Sequence, residues 1–426
     1  MRGDEAAMAE AVAQGERGRF TAAPNPWVGC VIVASDGEVV GRGFHQRAGE
    51  PHAEVHALRE AGERARGATA YVTLEPCAHQ GRTPPCAPAL VDAGVGRVVV
   101  AVLDPDDRVA GRGVDILRAA GIAVDVGVGA GAAARSLAPY LHHRRTGRPL
   151  CLLKTAASLD GRTAAVDGTS QWITGPDARA DAHRLRAESG AVVVGAGTAL
   201  ADHPSLTFRN LAFEDGLTPA QPLRVLLDAS GRVPASGPLF DPTLAPTLVI
   251  TSSTSVAPGA VAAWKAAGAE VEDVAAAPGA PPFTGAPPFT GAPASPSGPA
   301  VDLACALEVL GRRGILQAMV EGGATLHGAL LRAGLVDRLV VYTGGVVLGA
   351  EGRPLFAGPG PGTLDGASRW RLTAVRELGP DARLDWEPLE PGDLGGSPAS
   401  SEARSGGSPA SREGDSGGSP ASREGD

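Results

Sequence analysis

The amino-acid sequence predicts an α/β protein with more than one domain. Short apolar runs recur along the chain and helical patterns separate many of them. At roughly 150 residues per domain, a chain of 426 residues is also too long for a single core. The series of apolar runs starts again after Thr146-Gly147-Arg148-Pro149. We therefore expect one domain over residues 1–146 and a second over residues 147–388.

The first domain opens with a predicted β-hairpin. Asp36-Gly37 is a turn signal between two apolar runs. Beyond the hairpin, helical spacing alternates with short apolar runs, which predicts a layered α/β sheet. The predicted strands are Val28–Ala34, Glu38–Phe44, Ala70–Leu74, Arg97–Leu103 and Ile122–Val126. The predicted helices are His52–Ala61, Cys86–Ala93 and Val114–Ala120.

The second domain continues the series of apolar strands after the boundary. Because the same kind of run recurs, this domain is also expected to be α/β. Its strand candidates are Leu150–Ala156, Ala191–Val194, Leu223–Leu227, Thr247–Ile250, Leu316–Val320 and Arg338–Tyr342.

Two low-complexity segments are expected to lie outside the folded cores. Residues 275–300 repeat GAPPFT from Gly279 and Gly285, and proline removes the backbone donors that helices and sheets need. The motif GGSPAS begins at Gly395, Gly406 and Gly417. We predict an exposed loop insertion over residues 275–300 and a disordered tail over residues 389–426. A partner-docking role for either segment is the weaker alternative.

Composition and charge limit the classes of function. Lys and Arg number 38 against 47 Asp and Glu, and the net charge of −9 disfavours a phosphate-binding surface for nucleic acid. The sequence contains no apolar run of the roughly eighteen residues that a membrane span needs, and no signal-peptide centre near Met1. Five cysteines, sparse and odd in number, do not suggest a disulfide framework. We expect a cytoplasmic protein without nucleic-acid or membrane partners.

A candidate zinc site lies in the first domain. His52-Ala53-Glu54 begins a predicted helix, and Cys77 and Cys86 follow the next strand. One imidazole and two thiolates make a three-ligand set with a fourth tetrahedral position for water, whose pKa zinc lowers toward about 7. This is the catalytic kind of zinc site, and Glu54 is its natural proton shuttle. Helix starts near the ligands are expected to favour the thiolates.

Other interpretations of these residues are weaker. His52 and His56 are four residues apart, as in zinc proteases, but the carboxylate does not directly follow the first histidine, so the HExxH pattern fails. Alternatively, His52 is a surface histidine and both cysteines are buried small hydrophobes. For His45, His56 and His79, a structural or substrate-orienting role is as compatible with the sequence as a catalytic role. Cys30 lies in an apolar run and is expected to be core.

At these residues the sequence resembles the zinc-dependent cytidine and nucleobase deaminases, whose signature is H-x-E followed by P-C and a second cysteine. Two features indicate which family of these deaminases the sequence resembles. The eight residues AHQGRTPP separate the cysteines, and Asn25-Pro26-Trp27-Val28-Gly29 and Val109-Ala110-Gly111-Arg112-Gly113 flank the motif. The chain thereby resembles the bifunctional riboflavin-biosynthesis deaminase-reductases. This resemblance implies a cytidine-deaminase-like three-layer fold for the first domain.

The resemblance extends into the second half of the chain and implies a dihydrofolate-reductase-like α/β domain that uses NADPH. The matching segments are Lys154–Arg162, Ser170–Thr174, Val194–Thr198 and Ala201–Thr207. Apart from the family, Glu321-Gly322-Gly323-Ala324-Thr325 follows a predicted strand and opens a helical pattern, so its backbone amides can hold a phosphate. Such glycine turns are common, and Gly195-Ala196-Gly197 lacks the third glycine of the dinucleotide fingerprint.

The resemblance also implies residue roles in the reductase domain. The cofactor site would be lined by Ala156, Trp172, Thr198, Asp202, Gly323, Ala324, Thr325, Leu326 and His327. The substrate would be faced by Ser170, Arg186, Leu206, Arg209 and Glu321. Arginine suits a substrate phosphate because the guanidinium fork matches phosphate oxygens. Taken singly, Arg186 and Arg209 are equally compatible with solvated surface charges, whereas a lone tryptophan such as Trp172 is more typical of a core position. The role of Lys154 stays open between sugar chemistry and pairing with an acid.

The activity implied by the resemblance is a two-step enzyme of riboflavin biosynthesis that acts on small molecules. Zinc-activated water deaminates a diaminopyrimidinone ribosyl phosphate while Glu54 moves the proton, and NADPH then reduces C1′ to give a ribitylamino phosphate. Two alternatives are a nucleic-acid-editing deaminase, which would need a basic channel, and a chain with only one active half. The sequence is compatible with a homo-oligomer.

One position departs from the family pattern. Asp104-Pro105-Asp106-Asp107 stands where the family usually has Asp-Pro-Asn-Pro. A carboxylate accepts hydrogen bonds only, and it repels a nearby phosphate. If Asp106 faces the substrate, Asp106→Asn is expected to lower the deaminase KM.

Overall fold

The computed structural model describes residues 3–80, 84–213, 216–274 and 300–389. The predicted loop insertion and tail therefore lie almost wholly outside the described residues. The helices are α1 (Asp4–Glu16), α2 (Ala53–Ala61), α3 (Cys86–Asp92), α4 (Arg112–Ala119), α5 (Ala130–Ser136), α6 (Ala138–Thr146), α7 (Pro176–Ala187), α8 (Ala196–Asp202), α9 (Pro258–Ala266), α10 (Leu303–Arg312) and α11 (Ala324–Arg332). The strands are β1 (Gly29–Val33), β2 (Val39–Phe44), β3 (Thr69–Val72), β4 (Arg97–Val100), β5 (Ala123–Val126), β6 (Leu150–Ser158), β7 (Arg162–Ala164), β8 (Ala191–Gly195), β9 (Leu223–Leu227), β10 (Thr247–Thr251), β11 (Glu270–Asp273), β12 (Gln317–Val320), β13 (Arg338–Gly344), β14 (Arg353–Pro354), β15 (Trp370–Leu378) and β16 (Asp381–Pro388).

The first sheet contains five strands in the order β2-β1-β3-β4-β5. β1 pairs antiparallel with β2 and β3, whereas β3, β4 and β5 run parallel. Successive side chains of β1 alternate between the faces, so that Cys30 and Ile32 belong to one apolar cluster and Val31 and Val33 to another. Both faces of β1 are buried, which explains its uninterrupted apolar run. Cys30 is core, as predicted.

Helices cover both faces of the first sheet and give it three layers. On the face of Ile32, α2, α3 and α4 contribute Ala57, Leu90 and Leu117 to the shared cluster. On the opposite face, α1 and α5 contribute small apolar residues to the cluster that contains Val31. This is the three-layer fold that the resemblance implied.

The second sheet contains nine strands in the order β11-β10-β9-β8-β12-β6-β13-β16-β15. The strands from β11 to β13 in this order run parallel, and β16 and β15 complete the sheet antiparallel. α10 and α11 pack on the face of Leu153, whereas α7 packs on the face of Leu152. α8 and α9 pack on a cluster that includes Val194. Because the central strands are parallel, the loops after β6, β8, β12 and β13 leave the sheet at one edge.

α6 and the residues that follow it connect the two sheets. α6 leads into β6, and Nε2 of His143 lies 2.9 Å from the carbonyl oxygen of Gly311 in α10. A Cβ atom on Gly311 would lie 2.0 Å from the carbonyl oxygen of Gly147, so only glycine fits at this crossing. Arg148 then forms an ion pair with Asp337 at 2.8 Å. Residues up to Pro388 accordingly form one compact unit.

The strands that the apolar runs predicted are confirmed, and the helices of the first domain are confirmed within a few residues. α1 was not predicted, because its buried side chains Ala7, Met8 and Ala11 include two alanines. β15, which is largely exposed at the sheet edge, and β16, which buries Arg383 and Asp385, were not predicted either. No helix within the described ranges is long and apolar enough to cross a membrane.

Candidate active sites

The three predicted metal ligands of the first domain lie together. His52 is the N-cap of α2, Cys86 is the first residue of α3, and Cys77 lies between β3 and α3. Nδ1 of His52 lies 3.5 Å from Sγ of Cys77 and 3.2 Å from Sγ of Cys86. The three ligand atoms lie within 4.8 Å of one another, and they form the only such group among the described residues.

The start of α3 favours a thiolate at Cys77. The backbone amide of Cys86 donates to Sγ of Cys77 over 3.3 Å, at the positive end of the helix dipole. Hydrogen bonds with Cys86 and His52 lower the pKa of Cys77 to about 4, against the effect of burial. The contact with Cys77, together with burial, raises the pKa of the Cys86 thiol. Cys77 therefore ionises first.

Glu54 lies beside the ligand group in the first turn of α2. The residue is only 3% exposed, and burial raises its pKa above the usual value. Its Oε2 atom is buried and has no hydrogen-bond partner within the described part of the chain. An unpartnered buried carboxylate oxygen is costly unless a polar group occupies the space that it faces. Together with His52, Cys77 and Cys86, this arrangement fits a zinc ion that keeps one position open.

His45 supports His52 from the side. The two rings pack edge to face with centroids 5.1 Å apart. Nε2 of His45 lies 3.0 Å from Nδ2 of Asn25, and its Nδ1 lies 3.1 Å from the carbonyl oxygen of Pro51. His45 therefore packs against the proposed metal ligand His52, and Asn25 of the Asn-Pro-Trp motif holds the His45 ring in place. His56 does not belong to the ligand group, so the geometry does not support the protease-like alternative.

Glu75 is a buried carboxylate for which the sequence analysis gave no role. The residue is 4% exposed and lies two positions before Cys77. Its oxygens accept hydrogen bonds from the backbone amides of Gly113 at 2.9 Å, Gly111 at 3.0 Å and Asp104 at 3.3 Å. Glu75 thus joins the cysteine loop to the start of α4. The only signal in the sequence is a carboxylate directly after a buried strand.

The glycine turns of the second domain lie side by side. β8 and β12 pair in parallel, so α8 and α11 both begin at the carboxyl edge of the sheet. A Cβ atom on Gly323 would lie 3.3 Å from Oγ1 of Thr198, and one on Gly195 would lie 3.7 Å from Leu326. Gly323 is the N-cap of α11, where backbone amides have no partner in the helix. The structure thus brings together Thr198 and residues 323–327.

Glu321 is the centre of a buried charge cluster. Arg186 binds both of its carboxylate oxygens, with Nη2 2.9 Å from Oε2, and Nη1 of Arg186 donates to the carbonyl oxygen of Thr207 over 2.8 Å. Nζ of Lys154 lies 3.8 Å from Oε2 of Glu321. Burial would raise the pKa of Glu321, but the two cations lower it to about 2. Arg186 is therefore no solvated surface charge, and Lys154 pairs with an acid.

The other predicted substrate residues differ in what they contact. Arg209 is exposed and forms no hydrogen bond or ion pair with another described residue. Leu206 is 2% exposed and its side chain packs in the cluster around β8, so only its backbone is free to face a substrate. Ser170 is half-buried in the loop between β7 and α7.

The other predicted cofactor residues are spread along the same edge of the sheet. Trp172 is 64% exposed, with the Arg179 guanidinium 4.4 Å from its ring centre, so it is not a core residue. Ala156 is half-buried in β6, and Asp202 ends α8. His327 is 2% exposed, and neither ring nitrogen has a hydrogen-bond partner of ordinary geometry among the described residues. Burial lowers its pKa to about 4, so the ring is neutral at physiological pH.

The carboxylate of Asp106 is paired with two arginines. Nη2 of Arg108 lies 2.7 Å from its Oδ2 atom, and Nε of Arg144 lies 3.4 Å from the same oxygen. The hydrogen bond from Arg108 lowers the pKa of Asp106 to about 2. Because two arginines offset its charge, the expected repulsion of a substrate phosphate loses its physical basis.

The two sites and their sheets define a class of protein: a zinc-site deaminase joined to a reductase with a parallel sheet. Family comparisons agree with this order along the chain. The model of the cytidine and deoxycytidylate deaminase zinc-binding region matches residues 1–102. The model of the RibD C-terminal domain matches residues 149–384.

Proteins with the same two parts match nearly the whole chain. The riboflavin biosynthesis protein RibD of Escherichia coli K12 is 45% identical over 388 residues, which cover 89% of this chain and 98% of that protein. The structure of Acinetobacter baumannii RibD, 41% identical, covers 91% of this chain and 99% of its own, with a TM-score of 0.77. A Thermotoga maritima deaminase/reductase, 29% identical, has the same coverage and a TM-score of 0.73. The chain therefore belongs to the RibD family of bifunctional riboflavin-biosynthesis enzymes, with a zinc-dependent deaminase and an NADPH-dependent reductase.

Proposed function

We propose that the chain deaminates a diaminohydroxyphosphoribosylaminopyrimidine and then reduces the resulting 5-amino-6-(5-phosphoribosylamino)uracil to its ribitylamino product. The Thermotoga maritima relative is named for these two activities. We assign deamination to residues 1–146 and reduction to residues 147–388, because the strands of the first sheet end at Val126 and those of the second begin at Leu150. Residues 275–300 and 389–426 belong to neither site in this proposal.

The observation that carries the proposal is the buried Oε2 of Glu54, which has no hydrogen-bond partner among the described residues and lies beside three side chains that could hold a metal. His52, Cys77 and Cys86 would hold the zinc. When bound, zinc supplies a Lewis acid that lowers the pKa of a water in its open position. Glu54 would take a proton from the attacking water and pass it to the departing amino group. A C–O bond would form and the C–N bond would break, so that ammonia leaves.

In the reductase domain, the two glycine turns would hold the cofactor. Backbone amides at the start of α11, with Thr198 beside them, make a cradle for a cofactor phosphate. The bound NADPH supplies the hydride for the reduction at C1′. We assign to this site Ala156, Trp172, Thr198, Asp202, Gly323, Ala324, Thr325, Leu326 and His327.

The substrate of the reductase would lie against the charged cluster and the loop that follows α8. Arg209 would bind the substrate phosphate, because its guanidinium has no partner among the described residues. Arg186 would act by holding Glu321 and the carbonyl oxygen of Thr207 in place. Ser170 and the backbone of Leu206 complete the proposed contacts. We further propose a cytoplasmic enzyme, and a homo-oligomer is compatible with this assignment.

Separate assays of the two half-reactions test the proposal. Glu54→Gln keeps the size of the side chain but removes the proton shuttle, so deamination should fall by about 10²–10⁴-fold. Zinc content should stay at the wild-type level, and NADPH-dependent reduction of supplied deaminated intermediate should be unchanged. Normal deamination by Glu54→Gln would refute the role of Glu54. Failure of the wild-type chain to oxidise NADPH with that intermediate would support the alternative with one active half.

A further inference from the structure

The loop between α8 and β9 carries Arg209, and its backbone conformation depends on contacts with the surrounding residues. His203, Leu206 and Asn210 have positive φ angles of 43°, 55° and 59°, although none of them is glycine. Such residues cost free energy and persist only where the surroundings fix them. The contacts that fix this loop therefore determine where the Arg209 guanidinium lies.

The first half of the loop is fixed from within the reductase domain. Arg186 donates to the carbonyl oxygen of Thr207 at 2.8 Å. The side-chain amide of Gln221 binds both the amide and the carbonyl group of Phe208, each over 3.0 Å. Beyond Phe208 these anchors end. From Arg209 to Phe213, no hydrogen bond joins the loop to another described residue.

Residues 209–213 of the loop are held by aromatic contacts that reach into the deaminase domain. The ring of Phe213 packs edge to face against Phe208, with centroids 5.8 Å apart, and against Phe20, with centroids 5.3 Å apart. Phe20 lies four residues beyond the end of α1. An aromatic pair of this kind adds to the stability gained from burial alone.

Phe20 also touches the reductase helix that carries Arg186. The guanidinium of Arg184 in α7 lies 5.4 Å from the centre of the Phe20 ring. Arg186 follows two residues later and binds Glu321. One deaminase side chain thus contacts both reductase elements that carry the proposed substrate arginines.

We infer that Phe20 is a positioning residue of the reductase: through Phe213 it fixes residues 209–213 so that Arg209 faces the substrate phosphate. This inference rests on the role proposed above for Arg209. Phe20 is not among the residues that we assign to the substrate or the cofactor. The fused deaminase domain would then contribute to substrate binding in the second reaction.

A double-mutant cycle in the full-length chain tests this inference. Phe20→Ala should raise the reductase KM for the deaminated intermediate by about 2- to 10-fold, the range expected for loss of one aromatic pair. Phe213→Ala should raise this KM at least as much, because it also loses the contact with Phe208. The double variant should show no further increase over Phe213→Ala, because the Phe20 contact is already lost there. The KM for NADPH, the reductase kcat and deamination should stay within about twofold of wild type. Phe20→Tyr, which keeps the ring, should restore the substrate KM.

Additive effects in the cycle, or unchanged substrate KM values in both single variants, would overturn the inference. Phe213 lies half-buried in a loop, so Phe213→Ala provides the test even if Phe20→Ala does not fold. Arg209→Ala separates this inference from the proposed function. If Arg209→Ala leaves the substrate KM unchanged, the proposed phosphate contact is wrong. If it raises KM while the phenylalanine variants do not, only the positioning role of Phe20 fails.

Discussion

The two candidate sites differ in how much of the chain is needed to build them. The metal-ligand group and Glu54 come from two short segments, residues 52–54 and 77–86, at two helix starts. The reductase site is assembled from the ends of several parallel strands, and its proposed residues range from Ala156 to His327. The first site is therefore fixed by local chain geometry, and the second depends on the packing of the whole sheet.

The difference extends to the charged groups. In the candidate deaminase site, a buried carboxylate oxygen of Glu54 has no hydrogen-bond partner among the described residues. In the candidate reductase site, Arg186 and Lys154 neutralise Glu321, whereas the Arg209 guanidinium forms no hydrogen bond or ion pair within the part of the chain that the structure describes. We therefore expect the unpaired polar groups to bind reactants and the paired groups to keep the site in its conformation.

The largest expected effect comes from removing a metal ligand. Cys77→Ser should remove most bound zinc and abolish deamination, because a neutral hydroxyl is a poor substitute for a thiolate. Zinc analysis and the deaminase assay measure both results. Cys305→Ser is the matched control, since Cys305 lies in α10 outside the ligand group. This variant should keep its zinc. Full zinc occupancy in Cys77→Ser would contradict the assignment.

A smaller effect is expected at the proposed cofactor cradle. Gly323→Asp places a carboxylate at the start of α11, where a cofactor phosphate is proposed, so NADPH affinity should fall by about tenfold or more through like-charge repulsion. Aspartate is a good N-cap, so α11 itself should persist. Fluorescence titration with NADPH measures the change. Gly259→Asp, in the first turn of α9 and in open space, is the control. Wild-type affinity in folded Gly323→Asp would show that the phosphate lies elsewhere.

The smallest effect is expected at Asp106. Its pKa of about 2 means that the carboxylate stays ionised and paired with Arg108 throughout the assay range from about pH 6 to 8. Asp106→Asn should therefore change the deaminase KM by less than about twofold at each pH, within the weak contribution of an exposed ion pair. A clear decrease in KM would restore the original expectation that Asp106 faces the substrate.

Much of the fold could be predicted because its strands are apolar and buried. β15 and β16 could not, since an exposed edge and the buried pair of Arg383 with Asp385 replace the apolar pattern there. The metal-ligand group was predicted from residue types and spacing alone. Glu75 was missed, because its partners are backbone amides up to 39 residues away, which no sequence pattern marks. The aromatic contact of Phe20 with Phe213 was also missed, because the two residues lie far apart in the sequence and no pattern links them.

Removal of zinc from the intact chain tests the central claim, that one polypeptide carries two independent chemistries, most directly. The purified protein is treated with a chelator, and both half-reactions are measured at saturating substrate as zinc content falls. Deamination should decline in proportion to zinc and return when zinc is restored. Reduction of supplied intermediate by NADPH should keep its kcat. Deamination by zinc-free protein, or parallel loss of both activities in folded protein, would contradict the account.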